Sequence, residues 1–258
     1  MIDLTHYPLP VIFLVSLVLI VTAGELGHWL GRRATDHGGE NVAALKAAIL
    51  GLLALMIGFT FAMAQTRFEL RREAVLNEAN AIGTTALRAR LLPPPHNVES
   101  LKLLRDYVRI RLRITQHVPL PSELNAAVEE TSTIQEALWR QVKAVAAKTD
   151  AMVPTGLYIQ ALNEMIDNQA KRVAALRSRV PNIVLLALYV TAAIAIGYAS
   201  YGRALEGRHW RPAVYVAGAL TAGVILLIQD LDRPRAGFIS VSQQPMLDVA
   251  ASLASYSD

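Results

Sequence analysis

Four long apolar stretches separated by one polar segment constrain the fold of this chain more than any other feature. A helix rises about 1.5 Å per residue, so about 20 mainly apolar residues are needed to cross a bilayer. Such stretches lie at residues 9–30, 42–64, 183–201 and 212–228. The connectors within the first and last pairs are short, so the sequence predicts two transmembrane hairpins.

The polar segment between the hairpins reads as helical throughout. No proline occurs between residues 42 and 92, so the second span is predicted to continue as one helix until Pro93. Asn97 and Ser122 are predicted to cap two further helices, and a last one begins near Pro154. The predicted fold class is an all-α membrane protein of four transmembrane helices with a helical bundle inserted between the second and third spans. The predicted domains are the first hairpin 1–64, the helical domain 65–180 continuous with the second span, the second hairpin 181–229 and the C-terminal tail 230–258.

The distribution of basic residues predicts the orientation. Six Lys and Arg residues flank the short connectors, and nine flank the opposite span ends. This bias favours cytoplasmic termini and a cytoplasmic insert. The first stretch could instead be a cleaved signal peptide, but the first ten residues contain Asp3 and no Lys or Arg, which favours a retained span.

Composition excludes several classes of site. The chain has no cysteine, which excludes disulfides, zinc-thiolate sites and thiol nucleophiles. A net charge of +4 is too small to indicate nucleic-acid binding. None of the common enzyme motifs is present, so we predict no catalytic residue, no metal site and no cofactor.

Glu25 and His28 share one helix face in a spacing found in carboxylate-bridged metal bundles. Such bundles need a second copy of the motif, which the other spans lack, so we interpret the pair as hydrated at the membrane surface. The glycines around it, Gly24, Gly27 and Gly31, indicate close helix packing. Basic residues also follow one face of the next polar helix, where they could contact anionic lipid, an acidic partner or solvent; they are Lys102, Arg105, Arg109 and Arg113.

The second span carries two different stripes about 110° apart around the helix. One consists of small residues, Ala47, Gly51, Ala54, Gly58 and Ala62, and lets another backbone approach closely. The other is apolar with a cation near either end and consists of Lys46, Leu50, Leu53, Ile57, Ala64, Phe68 and Arg71. Around the axis of an oligomer this second stripe would form a hydrophobic constriction with basic mouths, and its residues are the candidate pore lining. Alternatively, it faces lipid or a neighbouring span, and the small-residue stripe faces the axis.

Two segments resemble the bestrophin-like domain family of bacterial membrane proteins. They are residues 58–61, 67–72 and 78–84 in the first segment, and residues 230–235, Gly237 and 240–245 in the second. The resemblance implies the plan of bestrophins, which are pentameric anion channels with four spans, a cytoplasmic helical region after the second span and a pore lined by that span. It also implies a multi-pass protein of the bacterial inner (plasma) membrane.

The two resembling segments adjoin the predicted membrane boundary. Their charged and polar residues are interpreted as a juxtamembrane network that includes Glu69, Arg72, Glu78, Asn80, Asp230, Asp232, Arg233 and Arg235. Eukaryotic bestrophins have a dense acidic calcium clasp after the last span, whereas here only Asp230 and Asp232 precede Arg233, so calcium gating is not predicted. Packing does not readily explain Asn80, Gly83 and Thr84.

The leading hypothesis is an oligomeric channel for inorganic ions, with anions favoured. Its partners are the lipid bilayer and copies of the same chain, forming a pentamer by analogy with bestrophins, and not nucleic acid. The alternative is a non-conducting membrane-anchored helical scaffold or sensor that binds a cytoplasmic partner.

Overall fold

The computed structural model describes residues 7–34, 39–114, 121–148, 152–207, 212–234 and 237–256, and these residues form helices and connecting segments without a strand. The helices are α1 (Leu9–Arg33), α2 (Gly39–Ala89), α3 (His96–Arg113), α4 (Pro121–Ala146), α5 (Met152–Arg177), α6 (Asn182–Leu205), α7 (Pro212–Asp232) and α8 (Gln244–Ser255). The predicted all-α class is therefore confirmed. Four helical stretches are long and apolar enough to cross a membrane, and they contain α1, α2, α6 and α7.

Helix α2 runs unbroken over 51 residues, as the absence of proline predicted. It ends at Ala89, four residues before Pro93. The capping predictions were wrong: α3 begins at His96 with Pro95 at the N-cap and no side-chain cap, and α4 begins at Pro121, which places Ser122 inside its first turn. Proline has no N–H to satisfy and its φ is suited to a helix start, so it can begin a helix without a capping side chain.

The chain divides into two compact units. The first comprises Met1–Phe68 and Arg179–Ile239, and the second comprises Glu69–Ser178 and Ser240–Asp258. We refer to them as the membrane unit and the polar unit. Helix α2 contributes residues to both.

The membrane unit is held together by the packing of α1 against α6 and α7. Its buried cluster includes Ile20, Leu188 and Ile225, each fully buried. A Cβ on Gly27 would overlap the carbonyl group of Gly197 in α6, and a Cβ on Gly31 would lie 2.6 Å from the carbonyl oxygen of Tyr201. The predicted close packing at these glycines is therefore confirmed, because the backbones of α1 and α6 approach too closely for any side chain.

The polar unit has its own buried cluster, built from α2, α3, α4, α5 and α8. Helix α8 was not predicted, although its pattern was present in the sequence. Pro245 stands in its first turn, and its buried residues Met246, Val249 and Leu253 recur at three- and four-residue spacing. This segment, which was interpreted only as a tail, thus contributes one apolar face to the core.

Replacing Gly27 with Ala should destabilise the membrane unit by about 1–3 kcal/mol, because the added methyl group forces α1 away from α6. Gly223 in α7 is the matched control, since a Cβ there has nothing within 4 Å. Thermal unfolding in one detergent should show a lower midpoint for Gly27→Ala and an unchanged or higher one for Gly223→Ala. Equal midpoints would contradict the close contact.

Candidate functional site

The small-residue stripe of α2 is open in the membrane unit. A Cβ on Gly51 or Gly58 would have nothing within 4 Å, and Ala47, Ala54 and Ala62 are all exposed. In the most apolar stretch of α2, only 6% of the residues are buried within the described part of the chain, against 28% in α1 and 44% in α7. Helix α2 therefore presents a broad apolar surface that the described residues of the protomer do not cover.

The other stripe of α2 faces the interior of the protomer in its middle. Leu53 is 5% exposed and Ala64 is fully buried, and both belong to the same cluster as Ile20 and Leu188. Of the remaining candidate pore residues, Leu50 is exposed and Arg71 is buried. Three others are partly buried, namely Lys46, Ile57 and Phe68. Most of this stripe thus packs on the protomer's own residues.

The cation at the start of this stripe has a partner within the membrane unit. The Lys46 Nζ lies 3.7 Å from the Glu206 Oε1 just after α6, and both side chains are part-exposed. An exposed pair of this kind contributes little to stability, because solvent screens the two charges.

The polar unit contains a buried charge centre around one carboxylate. The Glu78 Oε1 lies 2.7 Å from the Arg111 Nε, and the Glu78 Oε2 accepts hydrogen bonds from the Arg111 Nη2 at 3.0 Å and the Arg172 Nη1 at 2.6 Å. The Tyr107 hydroxyl donates to the Glu78 Oε1 at 2.9 Å. All four side chains are at most 1% exposed. The centre therefore links α2, α3 and α5 around a single acceptor.

Electrostatics keep this carboxylate ionised. Burial alone would raise the pKa of Glu78, but the guanidinium groups of Arg111 and Arg172 outweigh it and hold that pKa below its usual 4.5. Burial and the Glu78 charge raise the pKa of Tyr107 well above its usual 10, so the phenol stays protonated and donates. One carboxylate and two guanidinium groups leave the centre with one net positive charge.

Sequence reasoning placed Glu78 in a juxtamembrane network and missed its partners. Each partner continues a buried stripe of its helix. Arg111 follows Leu104 and Tyr107 on α3, and Arg172 follows Leu162 and Met165 on α5, at three-, four- and seven-residue spacings. A charged residue in a buried stripe is the signal that could have found them, because a buried charge requires a partner.

The C-terminal segment closes this centre from one side. The Gln243 Oε1 accepts a hydrogen bond from the Arg172 Nη2 at 2.8 Å. Arg105 donates to the carbonyl oxygens of Leu253 at 3.0 Å and Tyr256 at 2.6 Å, which caps the C-terminal end of α8. The docking of α8 thus depends on arginines as well as on its apolar face.

Packing was not expected to explain Asn80, Gly83 and Thr84. In the structure Gly83 and Thr84 are partly buried and Asn80 is exposed. A Cβ on Gly83 would lie at ordinary contact distance, 3.5 Å, from the Val249 side chain, so Gly83 faces α8.

The acidic residues after the fourth span bind backbone groups. The Asp230 carboxylate accepts hydrogen bonds from the N–H groups of Phe238 at 3.0 Å and Ile239 at 3.1 Å, and the Asp232 Oδ1 accepts one from the N–H of Val180 at 2.9 Å. A Cβ on Gly237 would overlap the Asp230 carboxylate, so only glycine fits this turn. These carboxylates hold the chain that leaves the membrane unit.

The remaining predicted site residues are accounted for as follows. Arg72 lies 3.4 Å from Glu69, Arg233 is buried, and Arg235 lies outside the described residues. Among the residues of the basic series, Arg109 pairs with Asp106, Arg113 pairs with Glu130, Arg105 caps α8 and Lys102 is exposed.

Within the described ranges there is no cluster of three or more His, Asp or Glu residues that could hold a metal. The Glu25 Oε1 accepts a hydrogen bond from the Tyr215 hydroxyl at 2.5 Å.

Replacing Glu78 with Gln should destabilise the polar unit by about 3–5 kcal/mol, because two buried guanidinium groups lose their only carboxylate. Glu73→Gln, an exposed glutamate on the same helix, is the matched control and should change little. Thermal unfolding followed by helix content measures both. A midpoint for Glu78→Gln equal to that of Glu73→Gln would contradict the charge centre.

The same centre predicts a pH dependence. Because the pKa of Glu78 is lower in the folded state than its usual 4.5, its contribution is fully present above that value and is lost as the pH falls through the folded pKa. The stability difference between the wild type and Glu78→Gln should thus stay constant from neutral pH to about pH 5 and shrink below it.

Comparison with known proteins agrees with this architecture. The family model described as the bestrophin-like domain matches residues 12–246. Comparison with curated proteins gives no match. Among solved structures, three crystal structures of a bacterial bestrophin homologue from Klebsiella pneumoniae are similar in fold. A tryptophan-to-alanine variant has a TM-score of 0.71 at 15% identity and covers 96% of each chain.

The other two are variants of the same homologue. An aspartate-to-alanine variant has a TM-score of 0.68 at 16% identity, with 94% of this chain and 96% of that chain covered. A leucine-to-threonine variant has a TM-score of 0.68 at 16% identity, with 95% of this chain and 97% of that chain covered. The match spans nearly the whole chain, both in sequence and in fold. The chain described here belongs to the bestrophin-like family.

Proposed function

We propose that this protein is an ion channel formed by several copies of the chain, with α2 of each copy around a central pore. The family and its solved bacterial bestrophin homologues support this class of function. In the proposed arrangement, α1 and the first part of α2 form one hairpin in sequence, α6 and α7 form the other, and residues 69–178 of the polar unit lie between them along the chain.

The proposal rests on one observation, namely that the described residues leave most of the apolar surface of α2 exposed. Only 6% of the residues in the most apolar stretch of α2 are buried, and its exposed stripe carries Gly51 and Gly58, whose Cβ positions have no described neighbour within 4 Å. A helix that only faced lipid would have no use for small residues on that side, since lipid tails pack equally well on Leu. Small residues permit the close approach of a second copy of α2. Around a pore axis they widen the passage.

The same packing bears on which stripe lines the pore. Leu53 and Ala64 lie in the core of the membrane unit, and Ile57 is partly buried against it. A side chain held in that core is not available to an axis outside the protomer. We therefore infer that the stripe with Gly51 and Gly58 faces the axis, which is the second of the two arrangements that the sequence permits.

Anion preference is the finer part of the proposal. It rests on the part-exposed Lys46 at one end of the span. Fixed positive charges beside a pathway raise the local concentration of anions. The proposal further includes a pentamer, by analogy with bestrophins, in the bacterial inner membrane with the polar unit and both termini in the cytoplasm.

Flux into liposomes tests the proposal directly. Purified protein should release a preset ion gradient, and Gly58→Leu should lower the flux by at least about tenfold, because a bulky apolar side chain narrows the passage and favours dewetting. Gly156→Leu is the matched control, since Gly156 is also an open helical glycine but lies in α5. Its flux should equal that of the wild type.

Two outcomes would contradict this assignment in different ways. If Gly58→Leu conducts normally while Ile57→Ser raises the leak, the stripe with Leu53 and Ile57 lines the pore. If reconstituted wild-type oligomer shows no flux under any ion gradient, the protein is the non-conducting scaffold or sensor.

A pair of charge variants tests the selectivity. Lys46→Gln should lower the ratio of anion to cation permeability by about threefold, and Glu206→Gln should raise it, because each removes one member of an exposed pair of opposite charges. Reversal potentials in a KCl gradient report the ratio. A shift in the same direction for both variants, or none for either, would show that this pair does not set selectivity.

A further inference from the structure

The Glu78 centre carries an unbalanced positive charge in the core of the polar unit. Glu78, Arg111 and Arg172 are each at most 1% exposed, so one carboxylate faces two guanidinium groups away from solvent. Every other described carboxylate of this unit is partly or fully exposed. The described residues therefore supply one buried negative charge for two buried positive charges.

This imbalance is costly in a protein core. Removing a charge from water is unfavourable, and pairing with Glu78 can compensate only one of the two guanidinium groups fully. The dipole of α3 offsets part of the excess, because Arg111 lies in its last turn, but a helix end carries only about half an elementary charge. Burial lowers the pKa of Arg172 below its usual value, since attraction by Glu78 does not outweigh desolvation and repulsion by Arg111. An additional negative charge would therefore stabilise the centre.

The two guanidinium groups also have unused hydrogen-bond donors. The Arg111 Nη1 and the Arg172 Nε are buried and donate to no acceptor within the part of the chain that the structure describes. Buried N–H groups in proteins are nearly always paired with an acceptor. Charge balance and hydrogen bonding are separate observations, and both indicate that a negatively charged acceptor completes the centre.

Burial limits the size of this acceptor. Protein interiors contain few voids larger than a water molecule, so a group held at this depth must be small. A halide ion is close to water in size and accepts hydrogen bonds from several directions, whereas phosphate and organic carboxylates are larger. The partly exposed Gln243 accepts a hydrogen bond from the Arg172 Nη2 at 2.8 Å, so an ion can reach Arg172 past this side chain.

We propose that the Glu78 centre binds one chloride ion inside the polar unit, where the ion accepts hydrogen bonds from guanidinium N–H groups that Glu78 leaves unused. The site is independent of whether the protein conducts ions. A water molecule could accept the same hydrogen bonds but would not balance the charge. Chloride, unlike water, therefore makes the stability of the polar unit depend on the halide concentration.

Thermal unfolding of the full-length protein in one detergent tests this dependence. Chloride replaces gluconate, an anion too large for the site, at constant ionic strength. A ligand that binds only the folded state stabilises it in proportion to the logarithm of its concentration once the site is filling. The unfolding midpoint of the wild type should rise by about 3 °C for a tenfold increase in chloride.

Two arginine variants on α5 locate the effect. Arg172→Met removes the excess charge and leaves Glu78 paired with Arg111, so its midpoint should not depend on chloride. Arg177→Met removes an exposed arginine from the same helix and is the matched control. Its midpoint should rise with chloride as that of the wild type does.

Crystals of the wild type grown in sodium bromide give a second measurement that needs no variant. Anomalous scattering should place a bromide ion within hydrogen-bond distance of Arg111 or Arg172. A water molecule or a carboxylate in that position would overturn the proposal. A wild-type midpoint that is equal in chloride and gluconate, or the same chloride dependence in Arg172→Met, would also overturn it. If Arg172→Met does not fold, the bromide position decides.

Discussion

The carboxylate of Glu78 is the point on which the polar unit depends. Two fully buried guanidinium groups from α3 and α5 share it, and the Tyr107 hydroxyl completes its shell. A buried ion pair adds little net stability over an apolar replacement, yet the loss of one member leaves a buried charge without compensation. The register of three helices is thereby fixed by one side chain, and α8 joins them through Gln243 and Arg172.

Much of the architecture was predictable because it follows from local rules. Apolar length identified the spans, the run without proline predicted the unbroken α2, and the glycines of α1 indicated close helix packing without naming the partner helix. The partners of Glu78 lie 33 and 94 residues away in sequence, and no local rule relates such distant positions. What remained readable was that Arg111 and Arg172 interrupt buried stripes. The sequence therefore showed that these charges need partners, but not which ones.

The choice between the two stripes of α2 could not be made from sequence for a related reason. Lipid tails are as apolar as leucine, so an apolar stripe can face lipid, a neighbouring span or a pore without a change of pattern. The packing of the protomer separates these cases. Leu53 and Ala64 lie in the core, whereas Gly51 and Gly58 are open. In the channel that we propose, the buried stripe packs within the protomer and the open stripe faces the axis.

The cost of glycine in a helix strengthens this reasoning. A glycine inside a helix is less favourable than alanine by about 1 kcal/mol, because its backbone loses more freedom on folding. At Gly27 the cost is offset within the protomer, since no other residue fits against Gly197. A Cβ at Gly51 or Gly58 would meet no neighbouring element among the described residues, so no packing within this part of the chain offsets their cost. In the oligomer that we propose, the backbone of another copy or the width of a passage accounts for the small side chains at these positions.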